Sequence, residues 1–306
     1  MMDLEPIIDS IYEAAFIPDS WCGVLDQICT VSASASGEFQ TIDSLAPPRW
    51  RATDLTRDVL EKFIADGLWR ACEHPAALLA REYPGFLCHD DFLTPEQLER
   101  DPVRRLLEPR GLGWLTGTII PMPTGEIVSI SFERRLESGR PDAKDFTALD
   151  TLRPHLARAG LISARLRLER AQNTVATLEA IGLAAAVLNA TGRVLAVNSL
   201  LEKLPSIFLP LAHGRLAVSD ADAQALFEDA LAKMRCKLVT TVRSIPIAKR
   251  EDQQPLILHL LPLVREAHAA FSGADILVVA TALKASAMVP SPRLLNALFD
   301  LFCSPL

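Results

Sequence analysis

The sequence contains no long apolar run. No stretch approaches the roughly 18 consecutive apolar residues of a membrane-spanning helix, so association with a membrane is not expected. The first residues, Met1 to Pro6, carry neither the basic start nor the apolar core of a secretory signal. Cysteine is sparse: the six present are scattered without the spacing of a disulfide framework, which fits a reducing compartment. Positive charge is in deficit, with 31 lysines and arginines against 38 aspartates and glutamates, a net charge of −7 and a pI near 5.5. That balance argues against nonspecific nucleic-acid binding by the chain as a whole. No Gly-x-Ser-x-Gly nucleophile elbow, no phosphate-cradling Gly-x-x-x-x-Gly-Lys loop and no His-Glu-x-x-His metal helix occurs. Serine, histidine and aspartate are nowhere grouped so as to activate a nucleophile. The expectation is a cytoplasmic, non-enzymatic protein with no cofactor and no metal.

What is present is organised around residues 142–181. Asp142 and Asp145 form a helix-start signature, an N-cap residue with a carboxylate three positions on. Leu149, Leu152, Leu156 and Ala159 then recur at helical spacing. From Leu161 a seven-residue repeat takes over, with Leu161, Leu168 and Val175 on one seam and Ala164, Ala171 and Leu178 beside it. An unbroken helix here would be on the order of 55 Å long at about 1.5 Å per residue. Such a span reads as a connector between two halves that pairs with a second copy of itself. A single helix packed across both halves of a monomer is the alternative. Pro154 removes an N–H inside the pattern and predicts a kink or break near Arg153.

At 306 residues there is room for two ordinary domains. Before the connector the chain reads as helices over Leu4–Phe16, from Trp21, over Leu55–Leu68 and over Ala76–Arg81, with a weak strand around Glu38–Ser44. A helix capped by Thr94, with Pro95 and Gln97 completing the signature, is expected to run on towards Pro109. A hairpin pairs Trp114–Ile120 with Glu126–Glu133 across a proline- and glycine-bearing turn. After the connector come a hairpin of Ala184–Asn189 and Arg193–Val197 and a short helix capped by Asn198. Arg215–Val218 reads as extended, and Asp220 caps a helix through Ala232. Strands over Val239–Ala248, Leu256–Val264 and Ile276–Ala282 close the region. The pattern is α+β, the second half being a compact antiparallel sheet with helices on one face.

The order of elements from Leu178 to Asn198 resembles the entry of a PAS domain. The first half looks like the GAF-like sensory region found before it in bacterial LuxR-type helix-turn-helix regulators. The residues that carry this second likeness are Asp101 to Val103, Arg110 to Trp114, Pro123 to Gly125 and Leu152 to Ala159. The resemblance implies a GAF-like domain over 1–141, a connecting and dimerising helix over 142–181 and a PAS-like domain over 182–285. Residues 286–306 would be a linker and the truncated start of an output domain. In such regulators the stretch resembling Leu298 to Leu301 leads into a DNA-binding helix-turn-helix, whereas here the sequence stops at Leu306. The implied protein is the sensory portion of a transcriptional regulator, a homodimer or a heterodimer with full-length relatives, with no direct DNA binding of its own. A small-molecule-binding protein without signalling output, or an enzyme with an unrecognised site, are the rival readings.

All four tryptophans and both tyrosines lie in the first half. Trp69, Tyr83 and Trp114, with Asp101 as a polar contact, are the candidate lining of a pocket for an unidentified small molecule. Cys72, His74, Cys88 and His89 offer metal-type donors, but at a spacing that matches no common zinc site. His155 is expected to pack rather than accept phosphate, and His259 to serve a strand rather than bind haem. Cys22 and Cys29 read as small buried hydrophobes. Arginines from Arg153 to Arg170 read as solvated charge on the outer face of the long helix.

Overall fold

The computed structural model describes residues 3–43, 46–122, 125–205, 207–210, 214–235, 241–248, 254–263 and 275–282. The expected linker and helix over 286–306, and parts of the expected turn after Pro121 and of the strand from Val239, lie outside them. In the first half, α1 (Glu5–Phe16) and α2 (Trp21–Val31) precede β1 (Ser36–Asp43) and β2 (Ala46–Ala52). There follow α3 (Arg57–Ala65), α4 (His74–Arg81), β3 (Leu87–Cys88), α5 (His89–Phe92), α6 (Pro95–Arg100) and α7 (Pro102–Leu107), then β4 (Leu112–Pro121) and β5 (Ile127–Arg135). The five strands form one antiparallel sheet in the order β2-β1-β5-β4-β3.

One strand was not expected and one expected helix is divided. β2 carries Pro47 and Pro48, which argue against a strand. It lies at the edge of the sheet, where a missing N–H interrupts no inner ladder. The helix expected to run from Thr94 towards Pro109 is two helices. Pro102 cannot continue α6, and the Asp101 carboxylate accepts bonds from the amides of Val103 and Arg104 at 3.1 and 3.2 Å, starting α7 afresh. The Thr94 capping box forms as its residues demand.

Both faces of this sheet are covered. On β5, Val128, Ile130 and Phe132 enter a core with Ile11, Trp21, Leu25, Ile28 and Phe39. The alternate residues Ser129, Ser131 and Glu133 point to the opposite face, beneath α3, α4 and α7.

α8 (Ala143–Ala180) is one continuous helix, closed at its start by the reciprocal bonds of Asp142 and Asp145. Of the kink or break expected near Arg153, the break does not occur, and the helix runs on through Pro154. Pro154 lies on the exposed side, where the carbonyl that it leaves unbonded can turn to water, while buried Leu152 and Leu156 on either side of it hold the helix to the core. Leu149, Leu152, Leu156 and Ala159 pack on the first half. Arg153 donates to the Thr118 hydroxyl and the Ile119 carbonyl at 2.8 and 3.0 Å.

The second half contains β6 (Ala184–Leu188), β7 (Val194–Val197), α9 (Ser199–Glu202), β8 (Phe208–Pro210), β9 (Leu216–Val218), α10 (Ala221–Arg235), β10 (Arg243–Ile247), β11 (Leu256–Leu263) and β12 (Asp275–Ala282). Its main sheet runs β10-β11-β12-β6-β7, all antiparallel. Counting each sheet's strands along the chain, both halves show the same order: second, first, fifth, fourth, third. Phe227 and Leu231 of α10 and Leu201 of α9 cover one face, meeting Ala186, Leu188, Leu258 and Val278. The last turns of α8 lie on the other, where Ala171 and Val175 meet Ala185, Val187, Leu277 and Val279. The fold is α+β, with α8 spanning from one sheet to the other.

Candidate functional site

A cavity of about 70 Å³ lies on the face of the first sheet away from α8. Its apolar wall is supplied by Val59, Leu60 and Phe63 of α3, Leu78 of α4 and Leu106 of α7, with Trp69 at one side. Its floor is polar, because the strand period of two sends every second residue of β1 and β5 this way. Glu38 and Gln40 come from β1; Ser129, Ser131 and Glu133 come from β5. In the register Glu38 stands opposite Ser131, and Ser36 opposite Glu133. Roughly 10–15 Å³ of such space holds one water, so the cavity takes about five atoms of that size.

The floor is electrostatically lopsided. Glu38 accepts hydrogen bonds from Ser131 Oγ at 2.8 Å and Gln40 Nε2 at 2.9 Å. Glu133 is 2% exposed, and its Oε2 has no hydrogen-bond partner among the described residues. Burial first, and the neighbouring Glu38 charge second, push the Glu133 carboxyl well above the ordinary carboxylate range; burial raises Glu38 as well. No lysine or arginine lines the cavity among the described residues. His74 does, but its Nε2 lies 2.9 Å from Asp101 Oδ2. Asp101 also caps α7. Burial would raise its carboxyl, but the His74 bond, the His74 charge and the two backbone amides hold it below the usual value.

The expected pocket residues are dispersed. Trp69 lines the cavity. Asp101 stands behind it and reaches it through His74. Tyr83 is exposed on the surface. Trp114, at a positive φ of 41°, sits beside His89 and donates its indole N–H to the Leu136 carbonyl at 3.3 Å. Sequence reasoning missed Glu38, Ser129, Ser131 and Glu133. Their signal was present as alternation of polar and apolar residues, which on a strand buried on one face only would mean water.

The metal-type donors separate into two groups. Donor atoms of Cys72, His74 and Asp101 lie within 4.8 Å of one another, as do those of Cys88, His89 and Asp90. The chemistry of the first is satisfied internally: burial pushes the Cys72 thiol up to about 12, and Asp101 is committed to His74 and to the helix start. His155 Nδ1 meets the Tyr12 hydroxyl at 3.1 Å. Both ring nitrogens of His259 are engaged, by Ser244 at 2.9 Å and Thr281 at 2.8 Å, which leaves none for haem. Arg153 and Arg167 are drawn into the fold, whereas Arg158, Arg165 and Arg170 are exposed. Burial raises the Cys29 thiol, in keeping with a packing role.

The expected dimer seam divides in the same way. Leu161 and Leu168 are 44% and 41% exposed, and Ala164 is partly buried. Ala171, Val175 and Leu178 are packed on the chain's own second sheet. No helix among the described residues is long and apolar enough to cross a membrane.

No family model and no curated protein matches the sequence. Among solved structures, the ligand-binding domain of VqsR from Pseudomonas aeruginosa is similar at 12% identity, covering 53% of this chain and 96% of that one, with a TM-score of 0.41. CepR2 from Burkholderia cenocepacia, an N-acylhomoserine-lactone-dependent LuxR-family transcription factor, is similar at 11% identity over 53% and 96%, with a TM-score of 0.39. A GAF-domain/HD-domain protein from Geobacter sulfurreducens is similar at 16% identity over 55% and 97%, with a TM-score of 0.34. These overlaps are loose, and the cavity has to be read from its own side chains.

Proposed function

We propose that this chain is a non-enzymatic cytoplasmic sensory module that holds a small molecule in the first-half cavity and transmits its presence through α8. Residues 1–141 would be a GAF-like sensor, 142–181 the connector and 182–285 a PAS-like partner. The observation that carries this reading is the cavity between the first sheet and α3, α4 and α7, with Glu133, whose Oε2 lacks a partner among the described residues, on its floor. Buried polar groups without partners are rare and costly, and a ligand is a natural occupant. The shared strand order of the two sheets is what a tandem of related sensor folds would have.

The transmission route follows from the alternation on β5. Glu133, Ser131 and Ser129 face the cavity, while Phe132, Ile130 and Val128 of the same strand belong to the core that α8 also enters. A ligand that shifts the floor therefore presses on the packing of α8, provided that it binds one packing state better than the other. A change in α8 would reach a second copy through Leu161, Ala164 and Leu168. The seam is shorter than its heptads predict, because its last turns are occupied by the chain's own sheet.

Sedimentation equilibrium tests the pairing. The wild-type chain is expected to dimerise. The double change Leu161→Asp with Leu168→Asp is expected to leave a folded monomer, since exposed positions alter stability by only about 0.5 kcal/mol. A dimer that survives both changes would remove α8 from the interface.

A further inference from the structure

We propose that the occupant of the cavity is a small primary ammonium compound with a short apolar chain. This rests on the cavity being a ligand site at all. Glu133 is a lining residue of the cavity, and its Oε2 is a buried acceptor that lacks a donor among the described residues. Glu38 is its diagonal neighbour on the same face, so two carboxyl groups look into one small space. Gln40, Ser129 and Ser131 surround them with groups able to accept as well as donate. Nothing lining the space supplies a standing positive charge. The one titratable base, His74, has its Nε2 engaged by Asp101.

The groups that face Glu133 sharpen the choice. Glu38 on β1 repels its charge, Cys29 of α2 lies on the far side of the sheet, and Cys72 and His74 line the cavity with Asp101 behind His74. An anionic guest would add a charge of the wrong sign. A neutral guest would leave two neighbouring acids to share the space unaided. An ammonium group carries three donors and the missing charge. Phe63 and Leu78 then offer faces for a few methylenes, while the Trp69 ring, which has the Arg70 guanidinium 4.4 Å from its centroid, closes one side. A bare divalent ion would waste this apolar wall, which commits the reading to an organic cation. The room available suits a guest the size of n-propylamine.

The test uses the full chain and n-propylamine, with n-propanol and propionate as neutral and anionic isosteres, magnesium chloride as the metal arm, and titration followed by chemical shifts. The amine is expected to bind at least about tenfold more tightly than either isostere. Glu133→Gln should abolish that preference while the protein stays folded, because it removes a buried acid and keeps the shape. Affinity should rise with pH as the raised carboxyls ionise, and fall again as the amine loses its proton near about 10.4. Gly117→Val, whose added atoms enter the cavity from β4, should block all three compounds.

The isosteres separate the two possible failures. If propanol or propionate binds and Gly117→Val blocks it while the amine does not bind, the cavity is a ligand site and the ammonium assignment is wrong. Saturable binding of magnesium in place of the amine would likewise overturn it. If no compound binds to the wild type, the sensory reading of the cavity falls with it.

Discussion

Replacing Asn198 with alanine is expected to destabilise the second half by about 3–5 kcal/mol, measured by urea unfolding. The side chain is 3% exposed and all its capacity is used. Its Oδ1 accepts from the amides of Ala185 at 3.0 Å and Leu201 at 3.1 Å. Its Nδ2 donates to the carbonyls of Leu183 at 2.8 Å and Val175 at 3.1 Å. One residue therefore joins the last turns of α8, the start of β6 and the first turn of α9. Losing a helix cap alone costs about 1 kcal/mol, and serine or aspartate would restore it. Here Asn198→Asp is expected to be almost as damaging as alanine, since its carboxylate would face the two carbonyls that the amide now satisfies. Near-complete rescue by aspartate would reduce Asn198 to a simple cap and show that its bonds to Val175 and Leu183 add little to stability.

The second large effect is expected at Glu126. Its Oε1 receives Arg49 from β2 at 2.8 Å and Arg167 from α8 at 3.3 Å, and Arg167 is 9% exposed. Glu126→Ala would remove the carboxylate that both guanidinium groups share. Removing one member of a buried ion pair costs about 3–5 kcal/mol; the greater exposure of Arg49 places the expectation near the lower figure. Burial would raise the Glu126 carboxyl, but the charges of Arg49 and Arg167 hold it below its ordinary 4.5. Its stabilising contribution is thus complete above about that pH and is lost as pH falls through the lower folded value. The wild type should lose stability on acidification over that window, and Glu126→Ala should lose less. An unchanged acid profile would mean that the shared carboxylate contributes nothing to stability.

How far these features were legible in the sequence depends on whether their cause is local. The start of α8 was readable at Asp142 and Asp145, and the cap of α6 at Thr94 and Gln97, because a capping bond closes within four residues. Asn198 was readable as a cap for the same reason. Its bonds to Val175 and Leu183 were not, since they need the hairpin to fold back on α8. Local rules allow Pro154 a kink or a break, and the packing of Leu152 and Leu156 on either side is what carries the helix through it. β2 went unread because a strand's tolerance of prolines such as Pro47 and Pro48 depends on its place in the sheet. The heptads from Leu161 named a real apolar stripe but could not say that the second sheet would take Ala171 and Val175. Aromatic composition pointed to the half that holds the cavity and to Trp69 in its wall. The cavity floor was missed because Ser129, Ser131 and Glu133 have the pattern of a strand with one wet face, and only tertiary structure lays α3, α4 and α7 over it.

The most direct measurement is native mass spectrometry of the freshly purified full chain, before and after denaturation. The account predicts a dimer whose mass exceeds that of two chains by a small basic molecule, released on denaturation and absent from Glu133→Gln. A bare monomer that takes up neither added amine nor its isosteres would contradict both the pairing through α8 and the cavity's role as a sensor.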